Sequence, residues 1–234
     1  MDTPLLLLPG LLCDDAVFAA QIDAFPGRAV TVADYGMADT IGAMAAAALA
    51  QAPARFALMG HSMGARVALE VWRMAPERVE RLALVSTGIH PVSAGEPAKR
   101  HRLVDLARAE GMAALCAAWL PPMVAPARHA DAALMAPMEA MVLRQTPDRF
   151  AAQIAALLAR PEAEAVLASV TVPLLVAVGD QDAWSPPVQH EAMAALVPGA
   201  RLVVFSGSGH MAPCEVPDQV NAALAGWLAM PAAA

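Results

Sequence analysis

A single serine stands between two glycines where a predicted strand gives way to a predicted helix. Residues 55–72 read RFALMGHSMGARVALEVW, so an apolar run ends at a Gly-x-Ser-x-Gly motif centred on Ser62, and a helical pattern follows at once. In this setting the motif is typical of a nucleophile elbow, a strained turn whose flanking residues must be small. The helix N-terminus favours negative charge, which makes the N–H of Met63 a candidate oxyanion donor. The alternative interpretation is an ordinary serine helix cap.

A serine hydroxyl is a weak nucleophile, so it requires a base, and the base requires an acid that orients it. Among the six histidines, His210 is the candidate base, because it lies in a glycine-bearing loop between the last predicted strand and the last predicted helix. His61 is adjacent to the serine, but its side chain is expected to point the opposite way. The others are His90, His101, His129 and His190, the last at the start of a predicted surface helix. We interpret all five as solvated or structural imidazoles.

The stretch LLVAVGDQDAWSPP provides two candidates for the orienting acid, at the C-terminal end of a predicted strand. Open α/β sheets place their sites at such ends. Asp182 lies further into the loop and is the preferred candidate, whereas Asp180 in the turn is expected to cap backbone N–H groups. The stretch that follows LALVS, residues 87–90, contains no carboxylate, which strengthens the choice of Asp182.

The second oxyanion donor is expected in the loop after the first predicted strand, LLLLPGLLCDD. Gly10 allows a tight turn that leaves the N–H of Leu11 available. An ordinary strand-terminating Pro-Gly turn is the alternative.

Short apolar runs alternate with helical stretches along most of the chain. Such continuous runs are typical of buried parallel strands, and their alternation with helices predicts a mostly parallel sheet with helices on both faces. The predicted strands are residues 5–8, 29–32, 56–59, 82–85, 174–178 and 202–205. The predicted helices are residues 15–25, 39–51, 65–74, 191–196 and 218–228. Because the chain begins directly at the first strand, we expect about six strands.

The alternation stops between residues 89 and 169, where the pattern is helical throughout and punctuated by prolines. A segment of this length without a strand, set between two core strands, predicts a helical cap inserted over the sheet. We therefore expect a core formed by residues 1–88 and 170–234 and a cap formed by residues 89–169.

Composition excludes several classes of function. The 234 residues carry a net charge of −7, which argues against nucleic acid or an anionic membrane surface as a partner. Three widely spaced cysteines predict reduced thiols, and no pattern of histidines or carboxylates indicates a catalytic metal. No apolar run reaches membrane-spanning length, and the first apolar stretch follows Asp2 rather than a basic residue, so it is a poor signal peptide. We expect a cytoplasmic protein.

Five pieces of the sequence, in order, resemble the α/β-hydrolase superfamily. They are LLLLPGLLCDDAVF, MGHSMGARVALE, APERVERLALVSTG, VGDQDAWSPP and GSGHMAPCEVPDQVNAALAGWL. The resemblance implies a cofactor-free acyl-enzyme hydrolase with Ser62 as nucleophile, His210 as base and then acid, and Asp182 as its orienter. Leu11 and Met63 would donate backbone N–H groups. Many relatives have His-Gly in the oxyanion loop where this chain has Pro-Gly, so a side-chain hydrogen bond that usually braces that loop is missing.

The leading expectation for the reaction is hydrolysis of carboxylic esters of small, mainly apolar substrates. The substrate pocket is expected to involve Leu12, Trp119, Met123 and Met138. Few charges in the cap argue against a dicarboxylate or a phosphorylated substrate. Alternatives are an enol-lactone hydrolase, a carbon–carbon bond hydrolase, a cofactor-free perhydrolase and, less favoured, a non-catalytic small-molecule receptor. A monomer or a homodimer is expected.

Overall fold

Six parallel strands form the central sheet of the computed structural model, which describes residues 3–231. The strands are β1 (Leu5–Leu8), β2 (Val30–Val32), β3 (Phe56–His61), β4 (Val79–Val85), β5 (Leu174–Gly179) and β6 (Arg201–Phe205). Their order across the sheet is β2-β1-β3-β4-β5-β6, and every neighbouring pair is parallel. The predicted fold class, a parallel sheet of about six strands with helices on both faces, is confirmed.

The central strands are apolar because they are covered on both faces. Every residue of β1, β3 and β5 is buried, whereas β2 and β6 at the two edges are only partly buried. Strand β3 continues two residues beyond its predicted end, because Gly60 and His61 pair with Leu84 and Val85 of β4. The sheet therefore extends directly into the serine motif.

Ten α-helices lie around the sheet in residues 3–231. They are α1 (Ala19–Ala24), α2 (Ile41–Gln51), α3 (Met63–Met74), α4 (Glu96–Trp119), α5 (Ala132–Leu143), α6 (Pro147–Leu158), α7 (Glu164–Ala168), α8 (Pro187–Ala195), α9 (Ala212–Glu215) and α10 (Pro217–Leu228). The chain of α4 is broken at Gly111, whose φ of +85° is outside the helical region.

Between β4 and β5, the described residues form helices joined by loops and contain no strand. Helix α4 packs against both α5 and α6, whereas the short helix α7 packs against α3 of the core. This arrangement is compatible with the proposed cap of residues 89–169, with α7 returning the chain to the core. The first two and the last three residues of the proposed core, 1–2 and 232–234, lie outside the described residues.

The glycines of the serine motif are required by close backbone contacts. A Cβ atom at Gly60 would lie 2.4 Å from the carbonyl oxygen of Gly64, and a Cβ atom at Gly64 would lie 2.0 Å from the carbonyl oxygen of Leu8. Between them, Ser62 has φ of +56° and ψ of −118°, an unfavourable backbone conformation for a residue with a side chain. Helix α3 begins at the next residue. The two glycines thus allow the sheet and the helix to hold a strained serine.

We predict that Gly64→Ala lowers the free energy of unfolding by about 3 kcal/mol or more. The added Cβ atom would meet backbone atoms of Leu8 and Pro9, which cannot move aside as the end of a flexible side chain could. Urea unfolding followed by circular dichroism measures the change. Gly95→Ala is the matched control, since a Cβ atom there meets no atom within 4 Å. Equal stability of the two variants would contradict the close approach of helix and strand.

Candidate active site

Ser62 and His210 are brought together from positions 148 residues apart in the chain. The hydroxyl of Ser62 donates a hydrogen bond to Nε2 of His210 over 2.8 Å. Ser62 occupies the turn between β3 and α3, and His210 lies in the loop between β6 and α9. The two loops meet at the same edge of the sheet because parallel strands present their carboxyl ends together.

Asp182 lies behind the histidine in the loop after β5. Its Oδ2 accepts a hydrogen bond from Nδ1 of His210 over 2.8 Å and another from the hydroxyl of Ser185. Its Oδ1 accepts from the backbone N–H groups of Trp184 and Ser185, both at 2.9 Å. Burial raises the pKa of this carboxyl, but the charge and the hydrogen bond of His210 and the bonds from Ser185 outweigh burial and lower the pKa to about 2. Asp182 is therefore a fully hydrogen-bonded carboxylate.

Asp180, the other aspartate of the same stretch, has a different position. Its Oδ1 accepts hydrogen bonds from the backbone N–H groups of Gly207 and Ser208 at 2.9 and 3.2 Å. This carboxylate caps the turn after β6, as expected from the sequence, and Asp182 is the aspartate that contacts His210.

The loop after β1 brings Leu11 to the cavity above Ser62. In the part of the chain that the structure describes, the N–H groups of Leu11 and Met63 donate to no protein acceptor, and both residues line that cavity. Two contacts brace this loop, which contains no histidine. The Tyr35 hydroxyl donates to the carbonyl of Pro9, and the N–H of Leu12 donates to Oε1 of Gln153 in α6.

Several contacts hold the backbone of His210. Its N–H donates to the carbonyl of Met123 over 2.8 Å, and its carbonyl accepts from Nε2 of His61 over 2.8 Å. His61 was expected to be solvated or structural; it is fully buried and contacts the back of the histidine loop. Residue 61 therefore contributes to the position of the base.

Glu215 is a residue that the sequence did not indicate. Its buried carboxylate accepts three backbone N–H groups, those of Ala125, Gly209 and Met211, at 2.8 to 3.0 Å. Burial raises the pKa of Glu215, although these hydrogen bonds act in the opposite direction. The carboxylate ties the histidine loop to the segment between α4 and α5. Its partners include an N–H group 90 residues away, so no local pattern could have revealed this role.

A cavity of about 390 Å³ opens directly above Ser62 and His210. Trp119 and Met123, two of the predicted pocket residues, form part of its apolar wall together with Leu103, Ile154 and Leu157.

The prediction for Leu12 and Met138 is wrong. Leu12 has φ of +61° and its side chain is fully buried in the core, because the loop turns it inward after Leu11. Met138 contacts a separate crevice between α5 and the segment that contains Val17, because that face of α5 packs on the core. The cap was expected to carry few charges, but three of its cationic side chains, Lys99, Arg100 and Arg160, line the cavity together with Arg66 of α3.

Residues 6–223, most of the chain, match the α/β hydrolase family. The chain belongs to the α/β-hydrolase family. The chain order Ser62, Asp182, His210 is the order in which members of this fold carry nucleophile, acid and base.

Two solved α/β-hydrolases superpose on nearly the whole chain. A thermophilic esterase from Thermogutta terrifontis, solved with malate bound, is 28% identical with a TM-score of 0.87, over 97% of this chain and 90% of that one. The enol-lactonase from Burkholderia xenovorans LB400 is 23% identical with a TM-score of 0.86, over 98% of this chain and 93% of that one.

Among curated proteins, polyketide synthase ThaQ of Burkholderia thailandensis is 29% identical over 214 residues. The match covers 86% of this chain and 9% of that protein, so the hydrolase spans a small fraction of the length of that relative.

Within the described residues, no helix is both long enough and apolar enough to cross a membrane.

His190 was expected to open a surface helix, but α8 begins earlier, at Pro187, and the imidazole is fully buried. Its Nε2 accepts the N–H of Thr87, whose hydroxyl in turn donates to the carbonyl of Ser62.

We predict that the hydrolase loses stability as the pH falls from about 6.5 to 4. Burial, more than any neighbouring charge, lowers the pKa of both His61 and His190 from 6.5 to about 4. In this window the unfolded chain binds the two protons and the folded protein does not, so the free energy of unfolding decreases by on the order of 3 kcal/mol per histidine. The lowered pKa of Asp182 adds its own loss only below about pH 4.

Urea unfolding at several pH values measures this slope. His190→Gln keeps a hydrogen-bond acceptor near Thr87 but removes one proton site, so its slope should be shallower than that of the wild type by about one proton. An identical slope in the two proteins would contradict the burial of a neutral imidazole at this position.

Proposed function

We propose that this α/β-hydrolase cleaves carboxylic esters through an acyl-enzyme intermediate on Ser62. The observation that carries the proposal is the unbroken series of hydrogen bonds from the Ser62 hydroxyl through both nitrogens of His210 to Asp182, each contact 2.8 Å long. The series lies at the floor of the cavity, so an ester carbonyl bound there would meet the hydroxyl directly. Nucleophile, base and orienting acid within hydrogen-bond distance are the requirement for acyl transfer.

In the proposed acylation step, the Ser62 oxygen attacks the ester carbonyl carbon while Nε2 of His210 accepts the hydroxyl proton. Asp182 stabilises the imidazolium that forms, because its carboxylate stays ionised and bonded to Nδ1. When the tetrahedral intermediate collapses, the imidazolium gives its proton to the departing alcohol. A water molecule then transfers a proton to His210 and attacks the acyl-enzyme, and the serine hydroxyl is restored as the acid leaves.

The proposed oxyanion donors are the backbone N–H groups of Leu11 and Met63. Met63 is the first residue of α3, where the helix dipole favours negative charge. Donors of this kind typically contribute about 10²–10³ in rate each. The contacts of Tyr35 and Gln153 with the first loop would keep Leu11 in position before substrate binds.

Two considerations favour ester hydrolysis over the alternatives. The esterase from Thermogutta terrifontis is 28% identical over nearly the whole chain, whereas the likeness to the enol-lactonase at 23% identity supports the shared fold alone. A receptor without turnover would not require a buried carboxylate that is bonded through the histidine to the serine. Carbon–carbon bond cleavage and peracid formation would use the same three side chains, but no contact in this site favours them.

We predict that Ser62→Ala abolishes hydrolysis of short 4-nitrophenyl esters and that Asp182→Asn lowers kcat by about 10⁴-fold, because the wrong histidine tautomer is then stabilised. Asp180→Asn is the matched control, since that carboxylate contacts only backbone N–H groups and its loss should leave most of the activity. Initial rates at pH 8 measure all three. Parental activity in Ser62→Ala would overturn the proposed nucleophile, and greater loss in Asp180→Asn than in Asp182→Asn would exchange the two aspartates.

A further inference from the structure

One wall of the cavity above Ser62 is strongly cationic. Arg66, Lys99, Arg100 and Arg160 line it, and Glu96 is the one carboxylate among the described lining residues. Arg66 is in the first turn of α3, which begins at the residue after Ser62, and both residues line the same cavity. The cationic wall is therefore within the reach of a small substrate whose ester group contacts the serine.

The single carboxylate is already shared by two of the cations. Both Nη atoms of Arg160 donate to the two oxygens of Glu96 at 2.7 and 2.8 Å. Nε of Arg100 donates to the same carboxylate over 2.8 Å. The hydrogen bonds of Arg160 and Arg100 lower the pKa of Glu96 to about 2, against the effect of burial. The oxygens of Glu96 are thus engaged by Arg160 and Arg100, and within the described residues neither accepts a hydrogen bond from Arg66.

Arg66 is buried without an acceptor for one of its nitrogens. The residue is 6% exposed, its Nη2 donates to the carbonyl of His90 over 2.6 Å, and within the described residues its Nη1 has no hydrogen-bond partner. Glu96 and Glu162 are the carboxylates whose charge acts on it, and neither accepts a hydrogen bond from it in the described structure. An unpaired N–H donor on a buried cation costs free energy, because the group has lost its hydrogen bonds to water and has gained none from the protein.

Repulsion between two guanidinium groups adds to this cost. The carbonyl of His90 accepts from both Arg66 and Nε of Arg160, so the two cations converge on one oxygen. Burial and then the charge of Arg160 lower the pKa of Arg66 to about 10, so it stays protonated at neutral pH. Burial and these same arginines lower the pKa of His90, which therefore adds little positive charge there. An anion bound against this wall would reduce the repulsion between the two guanidinium groups.

We propose that this wall is a subsite for a carboxylate on the substrate, with Arg66 as the residue that selects it. The planar guanidinium presents paired donors that match the geometry of a carboxylate. The inference deepens the proposed ester hydrolysis and rests on it: the substrate is an ester that carries a free carboxylate several atoms from the scissile carbonyl. The apolar wall formed by Trp119, Met123 and Leu157 would cover the methylene groups between the two ends.

The test compares two substrates that differ only in charge, 4-nitrophenyl hydrogen adipate and 4-nitrophenyl methyl adipate. In the wild type, kcat/KM should be at least tenfold higher for the acid than for its methyl ester. Arg66→Gln should lower this ratio at least tenfold, since the variant removes the positive charge and the charged hydrogen-bond donors that favour the acid. Arg102→Gln is the matched control, because it removes the same charge from an exposed position of α4 outside the cavity and should leave the ratio unchanged.

If Arg66→Gln does not fold, Arg100→Gln is the second variant, since its side chain is partly exposed and it should also lower the ratio. A wild-type ratio near one, or the same ratio in wild type and a folded Arg66→Gln protein, would overturn the subsite. Hydrolysis of the neutral diester without any preference for the acid would overturn the subsite but leave the esterase proposal intact.

A binding measurement tests the subsite independently of catalytic turnover. Calorimetric titration of monomethyl adipate into Ser62→Ala protein should show binding. The double variant Ser62→Ala/Arg66→Gln should show none. That result would support the subsite even if the wild type hydrolysed no ester, an outcome that would overturn the esterase proposal alone. Tighter binding of butyl phosphate than of monomethyl adipate would overturn the assignment to a carboxylate.

Discussion

The hydrogen bond between Ser62 and His210 joins two loops from opposite halves of the chain, and the rest of the site is arranged to maintain it. The histidine loop has no regular secondary structure, so its position depends on side chains that satisfy its backbone. Glu215 binds the N–H groups on both sides of His210, while His61 binds its carbonyl. The distance of 2.8 Å between Nε2 of His210 and the Ser62 hydroxyl is thus a consequence of buried contacts behind the histidine loop.

The serine side of the same hydrogen bond depends on backbone strain. Ser62 has a positive φ that is unfavourable for a residue with a side chain, and the glycines around it allow β3, α3 and the end of β1 to approach within van der Waals distance. The strain is supported by the fully buried strand β3 on one side and by α3 on the other. Buried elements therefore support an unfavourable backbone conformation, which holds the hydroxyl at the cavity floor.

The elements that are encoded locally could be predicted from the sequence. The strand-to-helix motif and the loops after the last two strands placed Ser62, Asp182 and His210 at one sheet edge, because parallel strands fix which loops meet. Residues whose roles depend on distant partners could not be predicted: Glu215 contacts Ala125, and Arg66 in α3 faces a carboxylate of α4. Leu12 and Met138 were misplaced for a related reason, since packing between elements decides which side of a loop or helix faces a cavity.

If Ser62 is the one serine whose hydroxyl is activated as a nucleophile, covalent labelling detects that activation directly. A fluorophosphonate reacts with a serine that is deprotonated by a neighbouring base and stabilised by oxyanion donors. After incubation of the folded protein at pH 8, peptide mass spectrometry should find one adduct, on Ser62, and protein unfolded in urea should not be labelled. Labelling on another residue such as Ser86, or none on the folded protein, would contradict the account.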